Sequence, residues 1–166
     1  VIAGLSTRSH LAAGVPGTVA GLIDVLEEFG TMPLADVIQP AIDLASEGFL
    51  IPEDLARQFE SRIKDFSPYK ASMGVFTKDG VPYQAGELFI QSDLSRTLSR
   101  IKQLGKKGFY DGETAEQIVQ EMERGGGLIS KEDLQTYESV WRDPVRFNYK
   151  DLDIISMSLP LSLIHI

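Results

Sequence analysis

The chain has 166 residues, about the length of one domain, and 43% of them are hydrophobic, which is ordinary for a globular protein with a sizeable core. A formal net charge of -8 without clustered Lys and Arg argues against a nucleic-acid partner, and no apolar run approaches the roughly 18 residues of a membrane span. Because cysteine is absent, disulfide scaffolds, thiolate zinc sites and cysteine nucleophiles are excluded.

A glycine- and proline-rich stretch, HLAAGVPGTVAGL, occupies residues 10–22. It is not a phosphate loop, because G-x-x-x-x-G-K-S/T requires a lysine and a hydroxyl that are missing, and the G-x-G-x-x-G spacing also fails. We predict a turn at residues 13–16 and then a helix over residues 17–29. Pro16 is expected at an early helical position, because its fixed φ angle already suits a helix. Small residues on this helix would let another backbone approach closely: Gly17, Ala20 and Gly21.

Apolar residues recur at helical spacing in several segments, each of which predicts an amphipathic helix. The segments are 17–29, 33–47, 52–66, 93–104, 113–125 and 131–137. The core-facing stripe of the first helix is expected to contain Val19, Leu22, Ile23, Leu26 and Phe29. Pro40 should kink or split the second helix, because its ring clashes with the preceding turn and its N–H is missing. Ser92 is the predicted N-cap of the fourth helix, and Ser130 with Asp133 resembles a capping box over the last.

Strands are predicted in two places. Asp79-Gly80 is a favoured two-residue turn and predicts a hairpin near 75–83. Two further strands are predicted near 140–157, in VWRDPVRFNY and LDIISM, with a polar turn at Lys150-Asp151. Helices first and strands last indicate an α+β fold in which a helical layer feeds a sheet.

No catalytic constellation emerges from the side-chain types. There are only two histidines, His10 and His165, and the second lies in a C-terminal tail that looks non-native, so we expect neither a Ser-His-Asp triad nor a histidine metal cluster from the one that remains. We interpret His10 as a local hydrogen-bonding residue. Residues 111–117, DGETAEQ, begin like a calcium loop but lack its ligand spacing. Several carboxylates are expected to lie on solvated helix faces: Glu27, Asp43, Glu116 and Glu121.

The C-terminal hexapeptide Leu161 to Ile166 is expected to be non-native, because of the DNA sequence that would encode it. It back-translates to CTG TCT CTT ATA CAC ATC, which looks like a transposase sequencing adapter carried through in frame. We therefore expect a non-native tail at 161–166. The alternative is a genuine strand cut short.

Five spaced blocks in order resemble the large-subunit region of γ-glutamyltranspeptidases. The blocks are GVPGTVAGL, FGTMPLADVIQPAIDLASEGF, FYDGETAEQIVQEMERGGGLISKEDLQTY, RDPV and ISMSLP, and the resemblance covers Ser9 to Pro160. The likeness falls on Gly14, Pro16, Gly17, Gly21, Gly30, Pro33, Pro40, Phe109, Tyr110, Gly112, Ile129, Glu132, Asp133, Leu134, Arg142, Pro144, Ser156 and Met157. After Pro160 the chain departs from the family, whose segment continues into serines and paired glycines.

The resemblance implies a mainly helical fragment of an αββα N-terminal-nucleophile hydrolase, with residues 1–160 as a partial large-subunit region. In the family, one precursor cleaves itself, and the new N-terminal threonine of the small subunit attacks a γ-glutamyl amide with its own α-amine as base. The acyl group then passes to water, an amino acid or a peptide. That threonine lies C-terminal to this segment and the arginine that holds the substrate carboxylate lies N-terminal to it; Arg8 is not in that arginine's sequence context. No catalytic, substrate-binding or metal-binding residue is therefore assigned, no cofactor is expected, and the chain alone is predicted to be inactive.

The implied partners are small γ-glutamyl substrates and a small subunit from the same precursor, in a periplasmic, extracellular or cell-surface location. Two alternatives remain open. Acylases of β-lactam side chains and enzymes that cleave poly-γ-glutamate share the scaffold within the superfamily. Outside it, the segment would be a non-catalytic helical interaction domain.

Overall fold

The computed structural model describes residues 4–157, with the side chains of all of these except Ser6 and Arg8. The helices in this range are α1 Leu5–Arg8, a 3-10 turn His10–Ala12, α2 Thr18–Phe29, α3 Leu34–Glu47, α4 Glu53–Phe66, α5 Lys70–Phe76, α6 Ser92–Leu104, α7 Lys107–Tyr110, α8 Gly112–Gly125 and α9 Lys131–Gln135. The strands are β1 Phe49–Leu50, β2 Thr77–Lys78, β3 Val81–Pro82, β4 Leu88–Phe89, β5 Val145–Tyr149 and β6 Leu152–Ser156. They pair antiparallel as β1 with β4, β2 with β3 and β5 with β6. The fold is α+β, as predicted, and the expected tail at 161–166 lies outside the described residues.

The amphipathic patterns correspond to helices α2, α3, α4, α6, α8 and α9. The capping box of α9 is confirmed, because the Ser130 hydroxyl accepts the Asp133 N–H at 3.2 Å and the Asp133 carboxylate accepts the Ser130 N–H at 2.8 Å. The predicted N-cap of α6 is wrong. Ser92 is already helical and Gln91 is the N-cap, because the Gln91 N–H donates to the Ala45 carbonyl at 2.9 Å and fixes the chain against α3 one residue earlier.

Proline does not split α3. The helix runs unbroken from Leu34 to Glu47 with Pro40 inside it. Pro40 and Asp36, one turn earlier, are both exposed, so water can satisfy the Asp36 carbonyl that receives no hydrogen bond from Pro40. Of the two outcomes expected of Pro40, the split is absent and the kink stays a prediction.

The first hairpin is shorter than predicted. Asp79 and Gly80 form its turn with φ of 54° and 84°, as a tight two-residue hairpin turn requires. Each strand has only two residues, because Val75 and Phe76 belong to the unpredicted helix α5. Phe76 stacks on Phe66 with ring centroids 4.9 Å apart, so aromatic packing decides the local structure here.

Two small hydrophobic cores organise the described residues. The first joins α2, α7, α8 and α9 through the buried residues Ala20, Tyr110, Ala115, Ile129 and Leu134. The second surrounds the β1–β4 pair with the buried residues Ile51, Phe59 and Phe89, and Phe76 packs against it. Within the described part of the chain, no helix is both long and apolar enough to cross a membrane.

The last two strands form an exposed hairpin. Val145 pairs with Ser156 and Tyr149 with Leu152, around a turn where Lys150 has φ of 57°. The predicted pair of strands and its polar turn are confirmed. Residues 140–144 are not part of a strand, and Pro144 has no N–H to donate to a β-ladder. Because its apolar side chains remain largely exposed, this hairpin presents a face that the described residues do not cover.

Candidate functional site

Two stacked tyrosines hold the glycine- and proline-rich stretch. The rings of Tyr110 and Tyr137 are 5.5 Å apart and nearly parallel, at 13°. A Cβ on Gly17 would lie 2.1 Å from the Tyr137 hydroxyl oxygen, so this position requires glycine. Ala20 is also fully buried, whereas nothing lies within 4 Å of a Cβ built on Gly21. The close neighbour of Gly17 is therefore a side chain and not the expected backbone, and the expected close approach is wrong at Gly21.

The Tyr110 hydroxyl joins the turn to the start of α2. It donates to the Pro16 carbonyl at 2.6 Å and accepts the Ala20 N–H at 3.1 Å. Ala20 is in the first turn of α2, where the N–H groups have no partner within the helix. Because the N-cap is Gly17 and the first helical residue is Thr18, Pro16 does not occupy an early helical position, contrary to the prediction. Burial raises the pKa of Tyr110, so its hydroxyl stays protonated and serves as a structural link.

A polar cleft of about 340 Å³ opens beside these tyrosines. Lys106 hydrogen-bonds to Asp24, which lowers the pKa of Asp24 and raises that of Lys106, and Ser139 also donates to Asp24. Across the cleft, Gln135 donates to Asp111 at 2.9 Å and lowers the pKa of that carboxyl. These carboxylates hold α2, α7 and the α9 segment together, and their lowered pKa values keep both ionised near neutral pH.

His10 reaches much further along the chain than predicted. Its Nε2 lies 2.7 Å from Glu121 Oε1, a contact between residues 111 positions apart, so the expectation of a local bond is wrong. The imidazole sits on the backbone of Gly125, where an added Cβ would come within 2.3 Å of the ring. Hydrogen bonds from Arg124 and then from His10 lower the pKa of Glu121 to about 2. The contacts that His10 makes with Glu121 and Gly125 anchor the start of the described chain to α8.

We expect the Glu121→Gln variant to lose stability in a pH-dependent way. Because folding depresses the pKa of Glu121 from 4.5, its ionised form stabilises the fold above pH 4.5, and that contribution disappears as the pH falls through about 2. The difference in unfolding free energy between wild type and variant should thus shrink between pH 5 and the acid limit. Urea unfolding at several pH values measures it, with the exposed Glu123→Gln on the same helix as the matched control. A difference that stays constant over this range would contradict the assigned ion pair.

The other carboxylates behave as surface groups. Glu27, Asp43 and Glu116 are exposed, as predicted, while Glu121 is half-buried in the pair described above. The rejected calcium loop is the start of helix α8. Within residues 4–157 no cluster of three or more metal-ligating side chains occurs.

An apolar groove lies between α2, α3 and α6, and we term it the α2–α3–α6 groove. Its volume is about 580 Å³, and its lining includes Leu22, Val25, Phe29 and Val37. The predicted core stripe of α2 is only partly buried: Ile23 is in the core, but Leu22 and Phe29 are 66% and 69% exposed. Sequence periodicity identifies the apolar face of a helix but does not show whether the described chain covers it.

Comparison with known proteins decides the family. The family model described as Gamma-glutamyltranspeptidase matches residues 3–165. The chain belongs to the γ-glutamyltranspeptidase family. It is 42% identical over 158 residues to the glutathione hydrolase proenzyme of Escherichia coli, a match that covers 95% of this chain and 27% of that protein. The crystal structure of Helicobacter pylori γ-glutamyltranspeptidase superposes with a TM-score of 0.91 at 46% identity, over 95% of this chain and 46% of that one.

The chain spans just over a quarter of the length of the curated relatives that it matches. Family relatives also carry other names, including a capsule biosynthesis protein CapD proenzyme of Bacillus anthracis and an acylase ACY 1 proenzyme of a Pseudomonas strain, each 35% identical. The superposition on the H. pylori enzyme confirms the α+β fold expected of a γ-glutamyltranspeptidase fragment.

Five of the residues that carry the family likeness lie together in space. Pro16 and Gly17 contact the two tyrosines, and Tyr110, Ile129 and Leu134 belong to the first core. Segments that are far apart in the sequence, and that each resemble the γ-glutamyltranspeptidase family, thus meet around the turn at residues 13–16. The sequence did not predict the contact of the Tyr137 ring with Gly17 or the hydrogen bond between His10 and Glu121. Both join residues far apart in the chain, and no motif of neighbouring residues marks them.

Proposed function

We propose that this chain is part of the large subunit of a γ-glutamyltransferase, or glutathione hydrolase. The observation that carries the proposal is the likeness to H. pylori γ-glutamyltranspeptidase over 95% of this chain. The parent enzyme would cleave γ-glutamyl amides through a threonine acyl-enzyme and pass the acyl group to water, amino acids or peptides. Backbone N–H groups would stabilise the tetrahedral oxyanion.

In this proposal residues 1–160 contribute scaffold and no catalytic, substrate-binding or metal-binding residue. Support comes from the described polar groups, since Tyr110, Asp24 and Glu121 are each occupied by structural partners. The parent's small subunit would come from the same precursor, consistent with relatives named as proenzymes. We also propose a periplasmic or extracellular location and no nucleic-acid partner, the latter in keeping with the net charge of -8.

The proposal is tested on the complete parent protein. We expect the purified precursor to separate into two subunits on a denaturing gel and to release p-nitroaniline from γ-glutamyl-p-nitroanilide, faster when glycylglycine is added as acceptor. The 166-residue chain alone should release none. A parent that is cleaved but acts only on glutaryl-7-aminocephalosporanic acid, or only on poly-γ-glutamate, would move the assignment to the acylase or CapD-like branch.

Sequencing of the parent gene tests the domain assignment. Reading across Pro160 distinguishes an adapter-derived tail at 161–166 from native sequence, and the family match that extends through residue 165 makes this junction worth determining. A natural frame confined to these 166 codons would instead favour the helical interaction domain.

A further inference from the structure

Two aspartates of the chain are followed directly by glycine, at Asp79-Gly80 and Asp111-Gly112. An aspartyl-glycyl bond is chemically labile, because the glycine nitrogen can attack the aspartate side chain and glycine has no side chain that hinders the attack. Among the other aspartates, Asp143 precedes proline, which has no N–H, and the rest precede residues with large side chains. The two Asp-Gly bonds therefore form a matched pair, and their surroundings in the fold decide which of them reacts.

The first bond lies at the tip of the β2–β3 hairpin. Asp79 and Gly80 are both exposed, and nothing lies within 4 Å of a Cβ built on Gly80. Within the described residues, the Gly80 N–H makes no hydrogen bond, and the Asp79 carboxylate has no hydrogen-bond or ion-pair partner. The neighbouring ammonium group of Lys78 instead faces Glu87, with Nζ 3.9 Å from Oε1. The amide nitrogen and the carboxyl group of this bond are thus both free to meet.

The second bond is held by the fold. Asp111 Oδ1 accepts a hydrogen bond from Gln135 Nε2 at 2.9 Å, and Gly112 is the first residue of α8. Hydrogen bonds from Gln135 and from the Gly112 N–H lower the pKa of the Asp111 carboxyl. Ring closure expels a carboxyl oxygen as water and requires the protonated acid, which a lowered pKa makes scarcer at a given pH. The Asp111 carboxyl group is therefore both bonded to Gln135 and kept ionised.

We propose that Asp79 is a site of spontaneous isomerisation to isoaspartate, whereas Asp111 is protected. The Gly80 nitrogen attacks Asp79 Cγ, a C–N bond forms, and the amide hydrogen leaves with the carboxyl hydroxyl as water. Hydrolysis of the cyclic succinimide then adds the water back. Cleavage of the bond from nitrogen to Cγ restores aspartate, and cleavage of the bond from nitrogen to the α-carbonyl carbon gives isoaspartate. The net mass is unchanged, and no oxidant or other co-reactant is needed.

Isomerisation would change the hairpin itself. In isoaspartate the main chain runs through Cβ and Cγ, so the turn gains one backbone atom and a carboxylate is left on the α-carbon. A two-residue turn fixes the register of its strands, here Lys78 with Val81 and Thr77 with Pro82. Because the longer turn does not fit this register, the short strands β2 and β3 should separate. Ageing protein would thus acquire a loosened hairpin with an isoaspartyl carboxylate at its tip.

Ageing of the mature parent protein near neutral pH tests the proposal. After digestion, electron-transfer fragmentation distinguishes isoaspartate from aspartate, because only isoaspartate cleaves between Cα and Cβ. We expect isoaspartate to form in the peptide that contains Asp79 several-fold faster than in the peptide that contains Asp111. In urea the two rates should approach each other, since the protection of Asp111 depends on the fold. Equal rates in the folded protein, a faster reaction at Asp111, or no isoaspartate at Asp79 overturns the proposal.

Two variants test the turn and the protection separately. Asp79→Asn keeps a residue that favours this turn and forms the same succinimide with loss of ammonia, so its conversion should be several-fold faster. An asparagine that stays unconverted in the folded parent would show that the turn prevents ring closure, and the proposal would fail. Gln135→Ala removes the partner of Asp111 and should raise isoaspartate there, whereas no increase would contradict the protection. None of these measurements uses catalysis, so their outcome is independent of the proposed function.

Discussion

Replacing Gly108 by alanine should destabilise the chain by about 3 kcal/mol, near the upper end of the usual cost of overpacking. Gly108 is buried in α7, where the chain folds back against α6. An added Cβ would lie 2.2 Å from the Arg100 carbonyl oxygen, 2.4 Å from the Arg100 carbonyl carbon and 2.7 Å from the Ile101 nitrogen. All three are backbone atoms, so relief requires α7 to move away from α6. That movement would also disturb the hydrogen bond from the Thr114 hydroxyl to the Gly108 carbonyl, which is 2.9 Å long.

Gly21→Ala is the matched control for this substitution. Gly21 lies inside α2, and a Cβ added there would have nothing within 4 Å, so alanine should stabilise the chain by about 0.5–1 kcal/mol through helix propensity alone. Urea unfolding followed by circular dichroism measures both effects. Opposite signs are expected, and a similar loss in both variants would show that the approach of α7 to α6 is not as close as described.

Helices with clear local signals could be predicted from the sequence. In α8 the apolar spacing agrees with a stop at Gly126, which has φ of 69°, and α9 begins with a capping box of adjacent residues. The turn at Asp79 and Gly80 is likewise set by residues that accept positive φ. These elements depend on interactions within a few residues, which a sequence pattern records.

The remaining elements depend on contacts distant in sequence. Strand β1 has two residues and exists because Phe49 pairs with Phe89, too short a segment for an alternation pattern. Helix α5 contains Gly74 and β-branched Val75 and reads locally as turn or strand, but the packing of Phe76 among other aromatic rings favours the helix. The site was least predictable, since the hydroxyl of Tyr110 bonds to a carbonyl 94 positions away.

The family likeness falls in part on residues whose contacts here are structural. Gly17 and Tyr110 are family-like positions: Gly17 leaves room for the Tyr137 ring, and Tyr110 donates a hydrogen bond to the Pro16 carbonyl. Such positions fix the glycine turn against α7 and the first turn of α2, so the resemblance in this segment carries information on the fold directly.

The hydroxyl of Tyr110 should contribute the second large effect. Tyr110→Phe keeps the ring but leaves the fully buried Ala20 N–H and the Pro16 carbonyl without their partner, which should cost about 1–3 kcal/mol of unfolding free energy. Tyr149→Phe is the matched control, because it removes a hydroxyl from an exposed tyrosine on the β5–β6 hairpin. Urea unfolding at pH 7 compares the two variants, and equal losses would argue against the buried link.

The pH dependence tests whether the Tyr110 hydroxyl is buried in the folded chain. Folding raises the pKa of this tyrosine above its ordinary value of 10.0, so its hydroxyl stabilises the fold fully below pH 10. That contribution decreases as the pH rises from 10 through the folded pKa, because the unfolded chain ionises first. The advantage of wild type over Tyr110→Phe should therefore diminish above pH 10, whereas a solvent-exposed hydroxyl with the same pKa in both states would leave it unchanged. Since the hydroxyl joins Pro16 to the first turn of α2, its loss should also free the glycine turn, which increased hydrogen exchange at the Ala20 amide would register.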